Sequence, residues 1–291
     1  MSSSVASRVG LLGPWGGSDD AAVDIIFIHG LTGNREKTWT GKYGIFWPKD
    51  LLSKDIPDAR IWSWGYDANI PDRPIIFVVH SLGGIVCENA LVLATINAEQ
   101  HIKQIATCTR GIIFLGTPLQ GSGKTRWVDI GHRLAKLIGQ EKNKDVVNVL
   151  KENSPRLKDL ADSFANIIRD RAKTESHIDV VFFYEEFGTV VGHIVTKDSA
   201  TVGGYEAQEI PADHVDMTKF VSVADAGYVR IRGVLKRWVE ALEKTGKIPP
   251  NSGINVTQNI QKMMGGIVAG VTYGATTITS NYDTNKMDGN S

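Results

Sequence analysis

The sequence predicts an α/β fold built on a mostly parallel, doubly wound sheet. Three observations carry this. Short, unbroken runs of β-branched and aromatic residues recur along the chain. Helical patterns fall between most of them, and the runs lack the polar alternation of a sheet with one wet face.

The first run is VDIIFIHG from Val23, a strand expected to be buried on both faces and ending in Gly30. ARIWSWGY, PIIFVVHS, RGIIFLGTP and DVVFFYEE repeat the signature. IVCENALVLATI follows the third of these strands, and TRWVDIGHRLAKLIG and SPRLKDLADSFANIIRDRA follow the fourth. The last helix, YVRIRGVLKRWVEALEK, places Val234, Leu235, Trp238, Val239 and Leu242 at helical spacing, so one apolar stripe should pack on the sheet. HIVTK reads as a further short strand, with another strand just before His214.

One connection is too short for this scheme. Adjacent parallel strands need a crossover of about a dozen residues or more, yet only DANIPDRP separates IWSWGY from IIFVVHS. Either these strands are not parallel neighbours or a helix-bearing segment is missing.

The 291 residues suit one large domain with extensions. Residues 1–20, Ser- and Gly-rich, read as a flexible lead-in without the apolar core of a signal peptide. Residues 21–246 form the catalytic-type domain. Residues 247–291 are a linker (IPPNSG) and a tail rich in Gly, Asn and Thr, without charge or proline between Met263 and Tyr282. Lys and Arg (32) balance Asp and Glu (32), so no global field favours nucleic acid. The two cysteines, Cys87 and Cys108, lie in apolar segments, which fits a reducing, cytoplasmic setting and leaves no metal-site spacing. No cofactor is expected.

The chemistry concentrates in VVHSLGGIV, where an apolar strand runs into Ser81 and a helix begins at once. A nucleophile on such a strand-to-helix elbow projects its hydroxyl above the strand end, and small neighbours let the helix approach. Val79 replaces the first glycine of the usual G-x-S-x-G pattern. The bland alternative is a serine capping the next helix. IFIHGLTGN supplies the second element, since the loop after an early central strand and the residue after the nucleophile donate to an oxyanion. Those positions are the backbone N–H groups of Leu31 and Leu82. The base should come late in the chain, which favours His214 in IPADHVDMTKF over His193, while His29 reads as a loop-ordering residue and His80 as unable to turn back onto Ser81. For the acid, Glu185 at the end of DVVFFYE is favoured and Asp198 is the alternative; Asp213 reads as shaping the loop of its neighbour.

Two motifs mislead. GSGKT at 121–125 resembles the end of a phosphate loop, but Pro118 occupies the first glycine position. Gly266, Gly270 and Gly274 have a membrane-helix spacing in an apolar run too short to span a bilayer.

Taken in order, VDIIFIHGLTGNREKTW, WPKDLL, ARIWSWGYDA, RPIIFVVHSLGGIVCENAL, RGIIFLGTP and SATVGGYEAQEIPADHVDMTKF resemble the SesB-like lipase or esterase domains of the DUF676 group of α/β-hydrolases, over about residues 21–240. The resemblance implies an α/β-hydrolase fold, Ser81 and His214 as nucleophile and base, and Glu185 as the match to the family's FYE motif. It implies an ester or lipid substrate and a role as effector of fungal NLR-type receptors in incompatibility or immune cell death. Two departures are visible: the segment before the nucleophile strand is shortened, and Leu119 follows the GTP motif where relatives often have His. The resemblance also lends the tail a meaning, because effectors of this type often end in an amyloid motif. Residues 254–282 are then expected to self-assemble as stacked β-structure, with an inert disordered tail or transient membrane association as the alternatives.

Overall fold

The computed structural model describes residues 10–18, 21–30, 34–65, 73–119, 124–137 and 154–244. The tail from residue 245 onward, the expected oxyanion donor Leu31, and most of 120–153 lie outside these residues. The described residues form a seven-stranded sheet in the order β1-β3-β2-β4-β5-β6-β7. The strands are β1 (Gly10–Trp15), β2 (Val23–Ile28), β3 (Ala59–Gly65), β4 (Ile75–His80), β5 (Thr109–Leu115), β6 (Asp179–Glu185) and β7 (Glu206–Ile210). All neighbours are parallel except β1, which runs antiparallel to β3.

Helices cover both faces. On one side α2 (Leu82–Ile96), α3 (Gln100–Cys108) and α5 (Ser154–Arg171) pack on Ile75, Phe77 and Val79 of β4 and on Ile112 and Phe114 of β5. On the other, α7 (Ala226–Lys244) buries Val234, Leu235, Trp238 and Val239 against Ile76, Val78 and Ile113. Leu242 of the expected stripe is only partly buried. The alternation of β4 between the two clusters is the period-two signature of a strand buried on both sides.

The short connection before the nucleophile strand does not join neighbouring strands. β3 and β4 are not neighbours; β2 lies between them, parallel to both. Trp64 and Val79 are both level with Ile28. The chain from Gly65 to Ile75 therefore has to cover about two strand spacings sideways and one strand length backwards, about 20 Å. The residues between, of which 66–72 lie outside those described, can reach about 30 Å only when extended, and the link has still to cross over β2. At the far end Arg73 meets buried Asp24 of β2 at 3.4 Å, and Asp24 is further held by Arg60 Nε at 2.8 Å and by the Trp62 indole N–H at 2.7 Å.

Two sequence expectations are corrected. Residues 1–20 are not wholly a loose lead-in, because Gly10–Trp15 pairs with β3 as the sheet edge. Its Pro14 hides it, yet proline is tolerated on an edge strand, where one row of N–H groups has no partner. HIVTK is not a strand. Ile194 and Val195 are buried beside Leu82, Ile85, Ile130 and Leu134, so their apolar character serves helix packing, and Lys197 opens the short helix α6 (Lys197–Ala200).

An aromatic cluster buttresses the C-terminal edge of the sheet. The Trp47 ring meets Phe27, Phe220 and Tyr228 edge-on at 5.0, 5.2 and 5.8 Å, and its indole N–H donates to the Thr218 carbonyl at 3.0 Å. The segment after β7 is thereby fixed to the segment after β2.

Candidate active site

Ser81 stands between β4 and α2 with φ 54° and ψ −133°. Among the described residues only Tyr43 and Ser81 have positive φ without being glycine. Such a conformation costs about 1–3 kcal/mol and persists only where its surroundings impose it. Here the Ser81 N–H donates to the Leu115 carbonyl at 2.9 Å, and the Gly84 N–H donates to the Ser81 carbonyl at 3.1 Å. The side chain makes no capping bond to α2, which disposes of the helix-cap alternative. The glycines of the HG and SLGG motifs exist for close approach: a Cβ on Gly30 would lie 2.8 Å from Ser81 Cβ, and one on Gly83 would lie 2.6 Å from the His29 carbonyl oxygen.

Ser81 Oγ lies 3.1 Å from His214 Nε2, and both residues are buried. The tautomer that accepts from the hydroxyl carries its proton on Nδ1. The backbone around His214 is tightly held. The Asp213 carboxylate accepts from the N–H groups of Val215 and Asp216, each at 2.9 Å, which is the loop-shaping role expected of it. Gly116, at φ +53°, leaves room for the ring; a Cβ there would lie 3.0 Å from His214 Nδ1. Burial, seconded by the adjacent His80, holds the His214 imidazole well below the ordinary histidine range. The neutral form, the one able to accept a proton, is the resting form.

Glu185 closes β6. Its Oε1 accepts from the Val195 N–H at 2.8 Å, and its Oε2 faces His214 Nδ1 at 3.7 Å. Burial pushes this carboxyl up to about 7, against the opposing pull of the Val195 and Ile194 N–H groups; the Asp213 charge adds to the rise. The structure brings Glu185, and not Asp198, to His214. Asp198 lies in the exposed first turn of α6. His193 is likewise exposed, and its carbonyl accepts from Arg133 of α4 (Lys124–Leu137).

Leu82 is the first residue of α2, where a backbone N–H has no carbonyl one turn behind it, so it is free to donate to an anion. The second expected donor, Leu31, lies outside the described residues. Lys124 of the phosphate-loop lookalike opens α4. Sequence reasoning set His80 aside, yet its ring packs on His214 with centroids 4.9 Å apart. Strand parity was the available signal: His80 follows Ile76 and Val78 on the sheet face that carries the His214 segment. Among the described residues no group of three or more His, Cys, Asp or Glu is arranged to hold a metal ion, and no helix is long and apolar enough to cross a membrane.

A parallel sheet with one antiparallel edge strand and a strained serine elbow facing a histidine from the segment after the last strand define an α/β-hydrolase fold. No protein-family model matches the chain. The chain is similar to Protein SERAC1 of Bos taurus, at 28% identity over 254 residues, and of Homo sapiens, at 27%. Each match takes in 69% of this chain, which spans only 37% of the length of those relatives. Among solved structures it is similar to a soluble variant of the monoglyceride lipase of Saccharomyces cerevisiae, with 12% identity, 78% of this chain and 89% of that one covered, and a TM-score of 0.44. It is also similar to the monoacylglycerol lipase of Paleococcus ferrophilus, with 13% identity, 80% and 100% covered, and a TM-score of 0.38.

Proposed function

We propose that the protein is a serine ester hydrolase in which Ser81 is the nucleophile, His214 the general base and Glu185 the acid. The observation that carries this reading is the 3.1 Å approach of His214 Nε2 to the hydroxyl of a serine held at positive φ. Ser81 Oγ attacks the ester carbonyl carbon while its proton passes to His214 Nε2. Glu185 stabilises the imidazolium through Nδ1–H. The carbonyl oxygen becomes an oxyanion at the N-terminus of α2, where the Leu82 N–H receives it, with Leu31 as the second donor. Collapse of the tetrahedral intermediate breaks the ester C–O bond, and His214 returns the proton to the departing alcohol. A water, deprotonated by the same imidazole, then releases the acid and regenerates Ser81. Apolar side chains of α4, Ile130 and Leu134, pack beside Leu82, which suits a capping segment over an acyl chain and hence a lipid ester substrate. The test is labelling by a fluorophosphonate probe, expected for the wild type and abolished in Ser81→Ala. Absence of labelling in folded wild-type protein would remove the reading.

A second reading rests on the tail sequence. GIVAGVTYGATTITSN is uncharged and rich in β-branched residues, as stacked cross-β requires. In this reading residues 254–282 assemble with copies of themselves or with an NLR-type receptor, and the hydrolase domain is delivered to a cytoplasmic death signal or serves as its scaffold. A peptide of residues 251–291 is expected to form thioflavin-positive fibres. A peptide that stays monomeric under seeding would sink the idea.

A further inference from the structure

We infer that His80 is a positioning residue for His214, holding the base in line with Ser81 through a hydrogen bond to its backbone carbonyl. The inference rests on the reading of His214 as the base. His80 Nε2 lies 2.9 Å from the His214 carbonyl oxygen, and both rings are buried, with centroids 4.9 Å apart and planes inclined by 41°. A carbonyl oxygen only accepts, so Nε2 of His80 carries the hydrogen.

The geometry gives this bond leverage over the reaction. His80 is the last residue of β4 and is covalently joined to Ser81, so its position is set by the same strand end that sets the nucleophile. It reaches the base at the peptide adjoining its own Cα. Nucleophile and base are therefore gauged against one rigid element, although they are 133 residues apart in the chain. Trp47 and Thr38 fix the same segment at Thr218, and Asp213 shapes it from within; the contact from His80 falls on the carbonyl of His214 itself. Without it the carbonyl is left buried and unpaired, and the peptide can rotate to find another donor.

The residue type matters as much as the reach. A donor here has to stay uncharged, because a cation would oppose the imidazolium that forms on His214. Burial pushes His80 down to about 4, against the opposing pull of its own bond to the His214 carbonyl, and the neighbouring His29 and Lys219 act in the same direction as burial. His80 is thus a neutral donor throughout the working range. Lysine or arginine could make the bond but not meet that condition.

The test compares wild type, His80→Ala and His80→Gln; glutamine keeps a neutral donor of similar reach. For a soluble p-nitrophenyl ester, His80→Ala is expected to lower kcat by about 10- to 100-fold with KM within about twofold, and His80→Gln to restore most of it. A folded His80→Ala enzyme with unchanged kcat would overturn the inference. So would failure of glutamine to rescue. Should His80→Ala not fold, His80→Gln alone decides: retained kcat supports the inference and lost kcat overturns it. Carbonyl NMR separates this inference from the reaction itself. If the wild type turns over no ester, the catalytic reading fails, while a His214 carbonyl carbon signal displaced in His80→Ala and restored in His80→Gln still supports the contact as the positioning element; an unmoved signal overturns it.

Discussion

Glu185 Oε2 and His214 Nδ1 face each other across 3.7 Å, both buried and neither atom with a hydrogen-bond partner. The separation is just beyond hydrogen-bond range. Catalytic hydrogen bonds are often long before substrate arrives. The electrostatics agree, since burial favours the uncharged form of both partners, raising the carboxyl to about 7 and lowering the imidazole.

That pairing predicts a pH profile. The reaction needs Glu185 ionised and His214 neutral. Because the carboxyl is raised, its ionised fraction grows as pH rises through about 7. The acidic limb of kcat/KM should therefore fall near neutrality, as an apparent value belonging to the pair. A profile already flat above pH 5 would contradict this.

The choice of acid is tested directly. Glu185→Gln keeps the shape but loses the charge opposite Nδ1, and should lower kcat by about 10²- to 10⁴-fold. Asp198→Ala, at an exposed turn, should leave kcat unchanged. The reverse outcome would move the acid to Asp198.

Glu88 of α2 offers a stability test away from the chemistry. Burial alone pushes its carboxyl up to about 8. The folded state then holds a proton that the unfolded chain has released, so this group's contribution is most favourable below about 4.5 and is lost as pH rises through about 8. Glu88→Gln should raise Tm at pH 9 and have little effect at pH 4. Equal Tm differences at both pH values would show that Glu88 is not the titrating group.

Gly83→Ala should damage both stability and turnover. The added Cβ would come within 2.6 Å of the His29 backbone oxygen, which has no flexible side chain to yield. A loss of about 1–3 kcal/mol in denaturant unfolding is expected, with slower probe labelling. A variant as stable and as reactive as the wild type would show that the HG loop and the elbow are less closely packed than described.

The parallel strands were legible because their short, unbroken β-branched runs alternate with helical patterns, and Ser81 because a strand, a serine and a helix follow one another without a gap. β1 escaped because Gly13 and Pro14 imitate a loop, and HIVTK misled because Ile194 and Val195 are buried by helices and not by strands. His80 was passed over for a different reason: its partner is a backbone carbonyl 134 residues away, and no side-chain pattern encodes a carbonyl. Of the short link before β4 the sequence left two readings open, and the strand order bears out that β3 and β4 are not neighbours.

That link bears on how the chain tolerates insertion. Its ends are anchored independently, Gly65 by pairing with Gly10 of β1 and Arg73 by Asp24, so strand register does not depend on what lies between. Closing a loop of doubled length costs only about 0.6 kcal/mol more. Lengthening the link is thus cheap in closure entropy, and an insertion there is expected to leave both anchors and the serine elbow downstream in place.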